Sequence, residues 1–579
     1  MASRGLTDDQ ILELIHADLP DDFEMDTDEE SLSEDNPDAL SMLQESDHIP
    51  DQTTVEKSIT IVLSEENTNV INLDSNACPG ISEPADNHPV ESLSHDGPRR
   101  WKKKPEPVFD NSFRSDSFEV RRTFVQNPVE SFMAFFDEEL IENVHFQTNL
   151  KSVQKGKPAS VTRNEILVFL GVNIMMGYHR LNSIASYWNT SDDMGVEPIK
   201  KAMPRDRFCT ILGNLHVNDN SKMDPTNKDK IFKVRPMIER LNKIFKERRD
   251  PKEHLSVDES MIKFKGRSSL KQYNPMKPIK RGYKIWCIAD DSGYVYTANL
   301  YTGKESNCPK RVKTPLGMGG DVVVTLSEPF KGRNHKLFFD NFFSSIPLLE
   351  HLKSVDILAC GTIRPNRKDL PALQADRSLK RGDFDYRSTP HGITVYKWMD
   401  SKAVTFISNY HGAELDAVTR REKDGSKAVV SCPTVVKDYN RFMGGVDKHD
   451  MLRQQYGINR KSTKWWHRNF FGFLDMAIVN SFIVYSESMT DKVSLLDYRR
   501  DVARGLMSFS ESKCPTFQKR RKVDYTVPSS VPEFTKTKRR CEVCSKKGME
   551  ARPFSKCSFC NVHLCVNTTK NCFTEFHSA

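Results

Sequence analysis

Two hydrophobic periods alternate along this chain from about residue 118. In VESFMAFFDEELIENVHFQTN (129–149), Phe132, Phe135, Phe136, Leu140 and Val144 recur at spacings of three and four, which predicts one amphipathic helix. RNEILVFLGVNIMMGYHRL (163–181) predicts a second. Pro204 and Pro236 each stand where a first-turn proline opens a helix, through FCTILGNL (208–215) and MIERLNKIF (237–245). The region 116–253 is therefore expected to be mainly helical.

At residue 254 the period changes to two. Leu255 and Val257 alternate with polar neighbours in HLSVDESMIKFKG, and YKIWCIADDSGYVYTANLYTG (283–303) places two β-rich runs around Asp-Asp-Ser-Gly, a hairpin signal. HKLFFD (335–340) predicts a short buried strand, SSIPLLEHLK (344–353) a helix, and DILACGTI (356–363) a further strand. Strands feeding a hairpin, then strand–helix–strand, imply an α/β sheet at the centre. Residues 370–433 are β-rich and irregular, with FDYRS, GITVYKWMD and AVTFISNY as candidate strands, and a helical pattern returns over 446–508.

Outside these segments the polar positions dominate. Residues 1–98 hold 25 acidic and two basic side chains, a formal charge of −23, and one aromatic, Phe23. Such a segment buries too little apolar surface to offset its ordering entropy and is expected to be disordered, with a short helix at 8–17. The remaining residues carry +29, so the net +6 conceals an acidic arm fused to a basic body. That division suits a nucleic-acid binder whose arm competes for the body's basic surface and restrains non-specific binding. RRWKKK (99–104) is either a nuclear-import or DNA-backbone patch or a solvated linker, and residues 511–540, with KRRK (519–522) and KTKRR (536–540), form a basic linker.

No stretch is expected to cross a membrane, because the best candidate, FFGFLDMAIVNSFIVY (470–485), is interrupted by Asp475 and Asn480. The N-terminus MASRGLTDDQ lacks a signal-peptide pattern, which makes a reducing, intracellular setting the default. P-loop, H-E-x-x-H and G-x-S-x-G motifs are absent from the sequence.

Three aspartates share an unusual context. Asp258 lies in or at the end of a strand, Asp340 ends the apolar run FFDNFF, and Asp447 opens a helix in GGVDKHD with Asp450 one turn later on the same face. Each alone could be a surface aspartate at a turn. Together, carboxylates from separate elements are what a pair of Mg²⁺ (or Mn²⁺) ions needs for phosphodiester displacement. Between the first aspartate and the hairpin lies a basic strip containing Lys263, Lys265, Arg267, Lys271, Lys277, Lys280, Arg281 and Lys284, interleaved with Tyr273 and Tyr283. It is either a solvated face or a set of phosphate contacts with base stacking.

Six of the 13 cysteines fall within 541–579. Cys541-x2-Cys544-x12-Cys557-x2-Cys560 is a zinc-binding spacing, and Cys565, Cys572 and His577 follow. With His563 as an eighth ligand, two four-ligand Zn²⁺ sites can interleave as a RING- or PHD-like cross-brace. So short a segment cannot build an adequate apolar core, so metal would supply its folding energy.

The contexts LSVDES (255–260), FFDNFFSS (338–345), GTIRPNR (361–367), YNRFMGGVDKHD (439–450) and RKSTKWW (460–466), with the terminal Cys/His cluster, resemble the piggyBac family of DNA transposases in order and approximate spacing. The resemblance implies a multidomain α/β protein. Its parts would be a ribonuclease-H-like catalytic core with a β-rich insertion, flanking helical DNA-binding and dimerisation regions, and a C-terminal zinc-binding cross-brace module. The expected boundaries are an acidic region 1–115, helical 116–253, core 254–369 and 434–456 around an insertion 370–433, helical 457–510, linker 511–540 and zinc module 541–579. Asp258, Asp340 and Asp447 match the family's metal-binding carboxylates, and Asp450 matches a fourth acidic position. Trp465 matches an aromatic beside the catalytic site, whereas Trp466 fits a helical core position. Asn341 falls where the family approaches target DNA.

The implied chemistry is cut-and-paste transposition at TTAA sites through hairpin ends, in the nucleus, by a homodimer that holds double-stranded DNA as transposon ends and target. The implied zinc module binds the terminal repeats. No membrane or small-molecule substrate is implied. The alternative is a domesticated, chromatin-associated DNA-binding descendant that does not transpose. A ubiquitin ligase or histone reader built on the zinc module is a third possibility.

Overall fold

The computed structural model describes residues 99–104, 111–114, 127–303, 316–510 and 531–577, apart from single residues at 192, 225, 228, 276, 423 and 568. The acidic arm 1–98, its expected helix at 8–17 and the KRRK cluster lie outside the described residues.

The first described helices are α1 (Pro128–Phe135), α2 (Glu138–Gln154), α3 (Arg163–Tyr178), α4 (Glu197–Ala202), α5 (Arg205–Asn214) and α6 (Arg235–Glu247). The single helix expected over 129–149 is two. Asp137 accepts the Leu140 N–H at 3.2 Å as the cap of α2, so a carboxylate inside the apolar period starts a new helix. Thr162 and Glu165 form a reciprocal capping box at the start of α3.

The sheet follows the expected period change. Its strands are β1 (His254–Lys263), β2 (Lys271–Tyr273), β3 (Arg281–Asp290) and β4 (Val295–Leu300). After α7 (Gly317–Ser327) come β5 (His335–Phe339), α8 (Ile346–Ser354) and β6 (Ile357–Thr362). Across the core they lie in the order β4-β3-β1-β5-β6, antiparallel through the first three and parallel from β1 to β5 to β6. This is the ribonuclease-H-like arrangement. The Asp-Asp-Ser-Gly turn between β3 and β4 is held by Asp290, whose Oδ1 accepts the Ser292 and Tyr294 N–H groups at 2.9 and 3.2 Å. Gly293 takes φ +91°, a conformation that excludes most side chains.

The β-rich insertion continues this sheet. β7 (Phe384–Ser388), β8 (Thr394–Met399) and β9 (Ala403–Ser408) extend it through β9 paired on β6. A separate hairpin of β10 (Leu415–Arg421) and β11 (Lys427–Pro433) was not evident from the sequence. No residue of β10 is buried, so the apolar alternation that marks a strand is missing there. Helix α9 (Thr434–Phe442) was also missed, because its opening Thr434, Val435 and Val436 have strand preference. Next come α10 (Gly445–Gln455), α11 (Trp465–Ser488) and α12 (Leu495–Met507), then β12 (Pro532–Phe534), α13 (Glu542–Lys546), β13 (Ser555–Cys557) and α14 (Cys572–His577).

Helix α11 is 24 residues long and, by length and composition alone, apolar enough to cross a membrane. It is instead the core helix, with 83% of its most apolar window buried inside the protein. Its polar interruptions have partners. Asp475 accepts from Arg499 of α12 at 2.9 Å and from the Ile458 N–H at 2.8 Å, and Asn480 bonds both backbone groups of Val295 in β4.

The basic cluster at 99–104 lies on the body. Arg99 makes a two-pronged contact with Glu350 (3.0 and 2.9 Å) and reaches Asp369 at 2.8 Å, and Lys103 pairs with Asp385 at 2.9 Å. The backbone of Lys102 exchanges two hydrogen bonds with Ser388, covering the free edge of β7.

Candidate active site and metal centre

Sheet register brings the first two aspartates together. Val257 of β1 is the last residue paired with β5, opposite Phe339. Asp258 and Asp340 are therefore the next residues along two adjacent parallel strands, whose spacing is about 4.8 Å. Asp258 is only 8% exposed. Asp340 caps its own turn, accepting the Phe342 N–H at 2.9 Å.

Helix α10 delivers Asp447 to the same place. Its first residue, Gly445, lies so close to the sheet that a Cβ there would sit 2.3 Å from the Asp290 carbonyl, so glycine is required for the approach. His449 Nδ1 donates to the Gly293 carbonyl at 2.9 Å. Further along, Arg453 donates to the Met261 carbonyl at 2.8 Å and to Ser260 Oγ at 3.1 Å, tying the helix to β1. Asp450 belongs to this anchor, since its Oδ1 accepts from Ser260 Oγ (2.6 Å) and Arg453 Nη2 (2.8 Å).

A cation of the chain itself joins the two carboxylates. Lys277 Nζ donates to Asp258 Oδ2 at 2.9 Å and to Asp447 Oδ1 at 3.3 Å. Asn274 steadies the turn that carries Lys277, with its N–H on the Lys280 carbonyl and its Nδ2 on Glu259 Oε1, both at 2.8 Å. Burial pushes Asp258 up to about 7, with Lys277 opposing and Glu259 and Asp447 adding to the rise. Burial likewise raises Asp340, against the Phe342 N–H. Burial works to lower Lys277, but the charges of Asp258 and Asp447 overcome it and raise that ammonium's pKa. Asp258 and Asp447 are hard oxygen donors around a position that already attracts positive charge, and Asp340 follows on the neighbouring strand; oxygen donors of this kind suit Mg²⁺ or Mn²⁺.

The basic strip divides in two. Lys263, Lys265, Arg267, Lys280 and Arg281 are exposed. Lys271 donates to the Gly266 carbonyl at 2.9 Å, Lys277 is held by the aspartates, and Lys284 lies 3.7 Å from Glu259 and 4.0 Å above the Trp286 ring. Asn341 is clamped, its Oδ1 accepting from Arg364 Nε (3.0 Å) and its carbonyl from Arg367 Nη2 (3.2 Å). Both arginines come from the GTIRPNR segment. The Lys277 contact had no linear signal, because it sits inside a run of similar cations.

Trp465 stands half-buried at the start of α11, in edge contact with Trp466. This end of α11 is tied to β1 by Arg468, which donates to the Lys263 carbonyl at 2.9 Å, five residues beyond Asp258. Among the described residues its ring contact is with Trp466 and not with the carboxylates. Trp466 is a buried core residue, as expected, with the Lys233 and Lys464 ammonium groups 4.5 and 5.5 Å from its ring.

The terminal cluster forms one complete ligand set. Cys541, Cys544, Cys565 and Cys572 are buried, with all four sulfurs within 4.8 Å of one another. Cys544 Sγ lies 3.6 Å from Cys572 Sγ and 3.9 Å from Cys565 Sγ, close to the edge of about 3.8 Å in a tetrahedron with Zn–S bonds of 2.3 Å. Cys557, Cys560 and His577 make a second group of three. His577 Nδ1 donates to the Phe573 carbonyl at 2.8 Å, which leaves Nε2, 3.4 Å from Cys560 Sγ, as the ligand atom. The pairing of alternate ligands is that of a cross-brace. His563 joins neither group. Its Nδ1 is buried without a partner and its carbonyl accepts the Glu542 N–H at 3.1 Å, so the expected eight-ligand set is seven among the described residues. The module is seated on α2, where Leu150 and Val153 share its apolar core and Phe146 packs on Phe573 with ring centres 6.0 Å apart.

Residues 127–482 match a family described as Transposase IS4. The chain is 32% identical over 479 residues to the PiggyBac transposable element-derived protein 3 of Homo sapiens, covering 80% of this chain and 78% of that protein. It is 32% identical over 418 residues to the PiggyBac transposable element-derived protein 2 of Homo sapiens, covering 70% of each. Among solved structures it resembles a chain of the piggyBac transposase synaptic complex with hairpin DNA, determined by cryo-electron microscopy. The TM-score is 0.59 and the identity 25%, over 68% of this chain and 83% of that one.

Proposed function

This chain belongs to the piggyBac family of transposases, and on that premise we propose that it is a metal-dependent DNA transposase of the cut-and-paste type. The observation that carries the proposal is the Lys277 ammonium bonded to both Asp258 of β1 and Asp447 of α10, with Asp340 following the end of the neighbouring strand β5.

Asp258, Asp340 and Asp447 hold the divalent cations in this account. When bound, such ions activate a water or a 3′-hydroxyl and stabilise the leaving oxygen of a phosphodiester. Everything else falls to the chain's own groups. The strands fix two carboxylates, and α10 fixes the third through the Asp450–Ser260–Arg453 anchor. Exposed Lys263, Lys265, Arg267, Lys280 and Arg281 grip phosphates beside the site. Asn341, held by Arg364 and Arg367, meets target DNA next to Asp340. Trp465 stacks near the cleaved end.

The substrate is double-stranded DNA: transposon ends cut through hairpins, then joined at TTAA. The solved complex that this chain resembles is a synaptic assembly with hairpin DNA, which supports both hairpin ends and a homodimer. The module at 541–579 carries a structural Zn²⁺ on its four cysteines, and a second on Cys557, Cys560 and His577, and binds the terminal repeats. The setting is the nucleus. A domesticated DNA-binding role is the second reading, favoured by the element-derived human relatives.

Excision from a plasmid carrying the flanking element ends separates these readings. The native chain is expected to excise and Asp340→Ala to fail. Equal excision by both would remove the catalytic assignment, and failure of both with the correct ends would favour the domesticated role.

A further inference from the structure

Lys277 is not placed as its neighbours in the basic strip are. Lys263, Lys265, Arg267 and Lys280 face solvent, whereas the Lys277 side chain is 18% exposed and points into the carboxylates. Its ammonium is shared between Asp258, on the strand, and Asp447, on the helix, at 2.9 and 3.3 Å. The two oxygens therefore lie no farther apart than the combined length of those two contacts, and a single divalent ion held by both would draw them closer together. A buried carboxylate without a counter-charge is costly. The protein meets that cost with a residue whose backbone is fixed, through Asn274, to Glu259 on the same strand.

We propose that Lys277 is a displaceable internal cation of the acidic site, which neutralises Asp258 and Asp447 until a divalent metal takes its place and frees the ammonium for a DNA phosphate. This rests on the reading of Asp258 and Asp447 as metal ligands. Metal and Lys277 compete for the same two oxygens, so the metal-competent state is only a fraction of the metal-free protein, and apparent metal affinity is reduced by that fraction. Lysine suits the role. It is a compact point charge on a flexible stem that can leave and re-engage elsewhere, which a planar arginine locked in two-pronged contacts does less readily.

Mn²⁺ affinity of the full chain without DNA, measured by electron paramagnetic resonance of the free ion, tests the competition. Lys277→Gln is expected to bind Mn²⁺ roughly tenfold more tightly than the native chain. Lys277→Arg, which keeps the charge, should bind within about twofold of native or more weakly. The metal-free Lys277→Gln protein should melt below native and gain more from Mn²⁺ than native does, a pattern that general loss of structure cannot produce. Equal or weaker Mn²⁺ binding by Lys277→Gln, with native-like folding of Lys277→Arg, would overturn the proposal. Asp447→Asn separates this from the underlying reading: if it binds Mn²⁺ as native does, the metal assignment itself fails.

Discussion

Arg453 donates to the carboxylate of Asp450 one helical turn before it, at 2.8 Å, and the Ser260 hydroxyl of β1 donates to the same oxygen at 2.6 Å. The pair is nearly buried, with side-chain exposures of 6% for Arg453 and 13% for Asp450. Asp450 thus fixes the helix that carries Asp447. Asp450→Ala leaves a buried guanidinium without its counter-charge and is expected to cost about 3 kcal/mol of stability. Urea denaturation checks this, with Asp450→Asn losing less. Unchanged stability in Asp450→Ala would remove the anchoring role.

Buried histidines make the fold sensitive to acid. His216 is pushed down to about 3 and His335 to about 4, in both cases chiefly by burial. Their unfolded-state value is near 6.5, so the unfolded chain takes up protons first as pH falls. Their contribution is complete above pH 6.5 and declines as pH falls towards about 4 for His335 and about 3 for His216, by up to about 1.4 kcal/mol per pH unit for each ring. His335→Gln keeps a donor for the Lys252 carbonyl, which His335 Nδ1 meets at 2.9 Å, but does not titrate. Its denaturation free energy should fall less steeply with acid than that of the native chain. Identical slopes would contradict the assignment.

The terminal module shares its apolar core with α2, beside a four-cysteine set suited to zinc. The native chain is expected to carry two equivalents of zinc by elemental analysis, and Cys544→Ser to lose the one on its four-cysteine set. Hydrogen exchange over 146–153 should then accelerate, because Leu150 and Val153 share the module's core. Unaltered zinc content in Cys544→Ser would rule out that site.

Salt dependence distinguishes the two halves of the basic strip. Replacing any one of Lys263, Lys265, Arg267 or Lys280 by Ala should reduce the slope of log K against log salt by about 0.9. Lys284→Ala should leave it nearly unchanged, because Glu259 and Trp286 hold that ammonium. Fluorescence-anisotropy titration at several salt concentrations measures both.

Much of this was legible in the sequence wherever one residue's pattern sufficed. The period change at 254, the Asp-Asp-Ser-Gly turn and the runs HKLFFD and DILACGTI gave β1 and β3 to β6 closely, because strand alternation and turn chemistry are local, whereas the three-residue β2 inside the basic strip was not expected. The two helices within 129–149 were not separable, since Asp137 acts through a cap rather than through periodicity. The polar breaks in α11 were visible, but not their partners: Arg499 lies 24 residues from Asp475 and Val295 lies 185 from Asn480. The site divided in the same way. The aspartates and cysteines were apparent as residue types in context. The Lys277 bridge, the Arg453 anchor and the exclusion of His563 depend on contacts across the fold that no spacing encodes.

Cleavage by the purified chain tests whether Asp258, Asp340 and Asp447 carry the reaction. A duplex carrying one element end beside TTAA is incubated with Mg²⁺, and the products are resolved on a denaturing gel. The native chain is expected to nick the end and convert it to a hairpin. Asp258→Ala, Asp340→Ala and Asp447→Ala, each folded and still bound to the duplex, should be slower by at least about a thousandfold. Hairpin formation at the native rate by any of the three would contradict the account.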